Sequence, residues 1–126
     1  MTNSNDAIGG YAASSTPVRT DRGAEYAAFA RVTSSLKAVD ETDSTSYPAM
    51  AEAVYDNQRL WSLLARDLRE DGNSLPIDLR AQLLSLAEFV NKHSRAVVRG
   101  KDNLEPLIDI NTSIMRGLRG SSEAVA

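Results

Sequence analysis

Apolar residues fall into four stretches at helical spacing, each separated from the next by polar residues. In the first, Phe29, Val32, Leu36 and Val39 recur at steps of three and four, which puts them on one face of a helix. This predicts a helix from about Thr20 to Val39, with Thr20 as N-cap and Asp21 and Glu25 near the positive end of the helix dipole. The second stretch predicts a helix from Pro48 to Asp71. Its stripe is Met50, Val54, Asn57, Trp61, Leu64 and Leu68. Pro48 suits a first turn, where its missing donor costs nothing, and Gly72-Asn73 suits a left-handed stop. The third runs from Pro76 to about Arg99, with Gly100 as its stop. Its stripe is Leu79, Leu83, Leu86, Val90, His93 and Val97, widened by Ala87 and Phe89. The fourth runs from about Leu104 to Arg119, between Asn103 as N-cap and Gly120 as stop. Its stripe is Leu104, Leu107, Asn111, Ile114 and Leu118, with Ile108 and Ile110 alongside.

No stretch alternates with the period of a strand. The links between the helices are short, and short links favour antiparallel neighbours. The predicted fold is therefore all-α: a compact bundle of four antiparallel helices over residues 18–120. A packing with the first helix splayed is the alternative. Residues 1–17 are Ser-, Thr-, Asn-, Gly- and Ala-rich, and Tyr11 is their one aromatic side chain and large anchor. Such a segment has too little apolar surface to offset its ordering entropy, so it is read as flexible. Residues 121–126 are read as a frayed tail.

Composition narrows the chemistry. The 126 residues contain no cysteine, which removes disulfides, thiolate metal sites and a cysteine nucleophile together. The net charge is −3, with the two signs interspersed. Tight direct binding to nucleic acid needs clustered Lys and Arg, so it is not expected. The first residues lack the basic start and apolar run of a secretory signal, and nowhere do about 18 apolar residues run together. A cytoplasmic protein without a membrane span is the expectation.

Catalytic constellations are absent from the pattern. There is one histidine, at position 93, no Gly-rich phosphate loop outside the Gly9-Gly10 pair of the leader, and no His-x-x-x-His spacing. Carboxylates such as Glu52, Asp56, Asp67 and Glu70 are scattered over polar faces. No enzyme, cofactor or metal is expected.

The informative feature is polar residues inside apolar stripes: Asn57, His93 and Asn111. One reading makes them a small site inside the bundle. The other makes them a hydrogen-bonded set that fixes helix register, as a lone buried Asn does in coiled coils. Trp61 also has two readings, as a core side chain or as an anchor at a partner surface. Leu60 and Leu63 lie off the second stripe, and Ile108 and Ile110 broaden the fourth. That apolar width suits a helix-in-groove binder and also an ordinary bundle.

The order of short motifs adds a resemblance. The chain reads Tyr55-Asp56-Asn57-Gln58-Arg59-Leu60-Trp61, then Asn73-Ser74-Leu75-Pro76, then Leu79-Arg80-Ala81-Gln82-Leu83-Leu84. It continues with Phe89-Val90-Asn91-Lys92-His93, Leu107-Ile108-Asp109-Ile110-Asn111 and Gly117-Leu118-Arg119. Tyr11, Arg22 and Glu25 precede these in matching places. Each motif alone is weak, but the succession over residues 11–119 resembles the FlaF family of flagellar biosynthesis regulators. Asn57, Leu60, Trp61, Leu75, Pro76, Arg80, His93, Ile110, Asn111 and Leu118 match the family's pattern. The acidic stretch from Asp40 to Ser46 lies where variation is expected. The resemblance implies an alphaproteobacterial protein needed for flagellin production and export. It would bind the helical terminal regions of flagellin in the cytoplasm, as a secretion chaperone or adaptor. It would act alongside FlbT, a regulator that restrains flagellin translation. An alternative role is to control translation through a partner such as FlbT, without chaperoning flagellin. The candidate partner-binding residues are Asn57, Leu60, Trp61, Leu63, Ile108, Ile110, Asn111 and Leu118.

Overall fold

The computed structural model describes the backbone of residues 17–125 and the side chains of residues 25–119. It contains four α-helices: α1 (Pro17–Lys37), α2 (Tyr47–Leu68), α3 (Ile77–Val98) and α4 (Glu105–Val125). No strand occurs among the described residues. The all-α bundle is as the stripes predict. The helices run up, down, up and down. α1 lies between α2 and α4, α2 packs closely on α3, and α3 touches α4 least. The loosened pair is thus α3 and α4, not α1 as in the alternative packing.

The core collects one side of each stripe. Phe29 and Leu36 come from α1, Val54 and Trp61 from α2, Val90 and Val97 from α3, Leu107 from α4 and Leu104 from the residue just before it. The Phe29 and Trp61 rings meet edge to face, 5.5 Å apart and at 83°. Each large apolar side chain removed from water contributes on the order of 2 kcal/mol, and that burial holds the helices together.

Helix ends depart from the expected boundaries where local chemistry decides. α1 begins at Pro17, so Thr20 lies inside the helix and is not its N-cap. The rest of the predicted flexible leader, Tyr11 included, lies outside the described residues. α2 stops at Leu68, before Gly72, and Gly72 is not in the left-handed region. The stop is made by the Asn73 side chain. Its Nδ2 donates to the Asp67 carbonyl at 3.2 Å, and its Oδ1 accepts from the Leu75 amide at 3.0 Å. α3 ends as expected, at Gly100 with φ 77°. There the Gly100 amide donates to the Val97 carbonyl and the Lys101 amide to the Ala96 carbonyl, both at 2.9 Å, a Schellman closure. α4 continues through Gly120 to Val125, past the expected stop and into the segment read as a frayed tail. One glycine costs a helix only about 1 kcal/mol, so it does not end one by itself.

The two ends of the bundle differ. At one end the α1–α2 and α3–α4 links are tied together. The Tyr47 hydroxyl donates to the Val98 carbonyl at 3.0 Å, and Glu41 Oε1 accepts from the Leu104 amide at 3.2 Å. The carboxylate thereby serves an orphan donor at the start of α4, where the dipole favours negative charge. Asp40 and Asp43 fold the link itself, each accepting from the backbone amide and hydroxyl of the threonine two residues on. At the opposite end α2 turns into α3 through the link that Asn73 folds.

Candidate functional site

The polar residues of the stripes resolve into two groups. Asn57 and Asn111 are fully buried and bonded to each other, Asn111 Nδ2 donating to Asn57 Oδ1 at 2.7 Å. Trp61 Nε1 donates to Asn111 Oδ1 at 2.9 Å. An indole N–H can only donate, so it dictates which atom of the Asn111 amide is the oxygen, and Asn111 in turn dictates the orientation of Asn57. The chain of bonds runs from α2 to α4 and back, joining two helices that do not pack along each other. It ends at Asn57 Nδ2, which is buried and has no acceptor among the described residues.

His93 does not join them. It is buried on α3, and its Nε2–H donates to the Asn103 carbonyl of the α3–α4 link at 2.8 Å. Nδ1 lies 3.6 Å from an Asp102 carboxylate oxygen, and the ring stacks on Phe89 at 5.4 Å. The three polar residues therefore do not converge on one site. Two set the α2–α4 relation, and the third holds the α3–α4 turn. Among the described residues no group of three or more acidic or histidine side chains is placed to hold a metal ion. A cleft of about 240 Å³ opens between α2 and α3, where Ser62, Ala65 and Ala87 are small, and the Gln58–Asn91 hydrogen bond at 3.1 Å lies at its edge.

The candidate partner-binding residues divide by burial. Asn57, Trp61 and Asn111 lie in the core, beyond the reach of a partner docking on this conformation. Trp61 is thus a core side chain. Leu60, Ile108, Ile110 and Leu118 are half-buried and pack on the core cluster. Leu63 alone of the eight is exposed, at 47%.

Further exposed large apolar side chains lie at Tyr47 and Tyr55 on α2 and at three positions on α3. Ile77 is 72% exposed, Leu79 39% and Phe89 44%. Every fully buried residue of α3 lies at Val90 or beyond. Leu79, expected in the core with the rest of its stripe, is on the surface. The stripe is continuous in sequence, but its cover thins toward the start of α3: Val90 and Val97 are buried, Leu83 and Leu86 half-buried and Leu79 exposed. An unbroken apolar stripe reports which face is apolar and not how far the cover extends, so periodicity alone did not single out Leu79 or Phe89. The Arg80 side chain turns away from this face. Its Nη1 reaches the Leu68 carbonyl at 3.5 Å, a cation at the end of α2 where the dipole favours one.

The described residues form an all-α bundle crossed by the buried Trp61–Asn111–Asn57 chain of hydrogen bonds. The chain belongs to the FlaF family: the family model, "Flagellar protein FlaF", matches residues 7–118. It is a flagellum-related protein. Comparison with curated proteins and with solved structures finds no match. No helix among the described residues is long and apolar enough to cross a membrane.

Proposed function

We propose that this chain acts by binding flagellin in the cytoplasm, as a secretion chaperone or adaptor, and performs no catalysis. Family membership supports a flagellar role. The observation that carries the binding role is exposed apolar surface on α3, where Leu79, in line with the buried Val90 and Val97, is 39% exposed and Phe89, beside that stripe, 44%. Apolar surface in contiguous patches marks interaction sites, and helical clients are bound through such faces. The terminal regions of flagellin are helical and join one another in the filament. Free of it, their apolar faces need cover, and a bundle with spare apolar surface supplies that.

The test is direct. The purified chain should form a complex with purified flagellin, measured by calorimetry, and should hold it soluble. Absence of binding at tens of micromolar would refute the proposal.

A further inference from the structure

We propose that the centre of the bundle holds an ordered water molecule, which accepts a hydrogen bond from Asn57 Nδ2 on α2 and joins it to the Thr33 hydroxyl on α1. The site stands apart from flagellin binding and does not depend on it.

Two orphaned groups define it. Asn57 is wholly buried and its Oδ1 already accepts from Asn111, yet its Nδ2 has no acceptor among the described residues. Thr33 is 2% exposed, and its Oγ1 likewise has no partner there. A helical threonine can satisfy its hydroxyl on the carbonyl one turn back, as Thr112 does on Ile108 at 2.8 Å, and Thr33 does not. An unpaired buried polar group is costly, so nearly all such groups in folded proteins are bonded to protein or to ordered water.

The two groups lie at one level. The Phe29 and Trp61 rings meet edge to face between α1 and α2. Thr33 follows Phe29 by one turn, Asn57 precedes Trp61 by one turn, and residues four apart share a helix face. Because α1 and α2 run in opposite directions, both steps lead from the aromatic contact toward the α1–α2 link. They bring Thr33 and Asn57 side by side inside the bundle. Threonine and asparagine are much smaller than the phenylalanine and tryptophan that fill the space between the helices one turn away. The room they leave suits a molecule the size of water.

The polar groups also select the occupant. Asn57 Nδ2 can only donate, so the occupant must accept, which a bare cation does not. No Lys or Arg is buried among the described residues, so an anion here would be buried without a counter-charge, at a far greater cost. Water accepts from Asn57 and shares a further hydrogen bond with the Thr33 hydroxyl, which both donates and accepts. The Trp61–Asn111–Asn57 chain of bonds then continues to α1 and ties three helices together instead of two.

Oxygen-17 magnetic relaxation dispersion of the purified full chain counts the water molecules held inside it, and hydroxyl exchange does not contribute to the signal. Thr33→Val keeps the shape of the side chain without the hydroxyl and should lower the dispersion amplitude by roughly one water molecule. Thr33→Ser keeps the hydroxyl and should keep the amplitude. Ser94→Ala removes another buried hydroxyl without a partner, on α3, and should also keep it. A crystal structure of the unaltered chain provides a readout independent of any folding defect. It should place a water oxygen about 2.7–3.2 Å from both Asn57 Nδ2 and Thr33 Oγ1. An unchanged amplitude in Thr33→Val, a loss in Ser94→Ala, or a crystal structure with Asn57 Nδ2 bonded directly to a protein oxygen would overturn the proposal.

Discussion

The Trp61 indole on α2 donates its one proton to Asn111 on α4, 50 positions further along the chain, at 2.9 Å and wholly inside the core. Because Asn111 also donates to Asn57, removing it strands two buried partners at once, the indole N–H and the Asn57 carbonyl. Asn111→Ala should lower the unfolding free energy by about 2–4 kcal/mol, from the lost packing and the unpaired groups. Trp61→Phe should cost less in the Asn111→Ala background than in the native one, with a coupling of about 1 kcal/mol. Urea unfolding of the four proteins measures this, and strictly additive costs would show that the bond contributes nothing.

The two glycines of the helix links should respond oppositely to alanine. Gly100 sits at φ 77°, where a Cβ is strained, so Gly100→Ala should destabilise by about 1 kcal/mol. Gly72 has neither a left-handed backbone nor an atom within 4 Å of an added Cβ. Gly72→Ala should be neutral, or stabilising by up to about 1 kcal/mol through the unfolded chain. Thermal unfolding of both variants decides it.

The ties at the closed end should be separable. Tyr47→Phe removes the hydroxyl bonded to the Val98 carbonyl and should cost about 0.5–1 kcal/mol, since the group is part-exposed. Glu41→Ala leaves the Leu104 amide to water and should cost about 0.5–1 kcal/mol. Exchange at the Leu104 amide should quicken in the second variant and not in the first.

Acid should act on the α1–α2 link through two exposed carboxylates. The Asp40 carboxyl is held below its ordinary value of 3.8 first by the Thr42 hydroxyl and then by the Thr42 amide. For Asp43 the Thr45 amide comes first and the hydroxyl second. Both folded values are depressed, so their contribution to stability is present above 3.8 and lost as pH falls through the lower folded values. NMR titration should find both midpoints below 3.8. Thr42→Ala should bring Asp40 back toward 3.8 more than Thr45→Ala does Asp43, because the hydroxyl is the larger cause only in the first.

Much of the fold is legible in the sequence because helical stripes are long and cores are selective. The α2 stripe was read as core, and Val54, Asn57, Trp61 and Leu68 are buried. Gly100 ends α3 as composition suggests, yet Gly72 and Gly120 do not end their helices. A glycine permits a left-handed turn without imposing one, and Asn73 had already closed α2 with its own side chain. The site was less legible. Spacing put Asn57, His93 and Asn111 on inward faces, but which of them meet depends on helix rotation and offset, so Asn57 found Asn111 while His93 found the α3–α4 link. Leu79 looked like core because its stripe is unbroken, yet it is 39% exposed, because periodicity tells which face is apolar and not how far neighbouring helices cover it.

Burial that fades along the bundle axis also grades its resistance to opening. Amides near the Schellman closure of α3 are backed by the cross-linked turns and by buried Val90, His93, Ser94 and Val97, whereas no residue from Ile77 to Phe89 is buried. Separation of the first turns of α3 therefore requires far less free energy than unfolding of the whole chain.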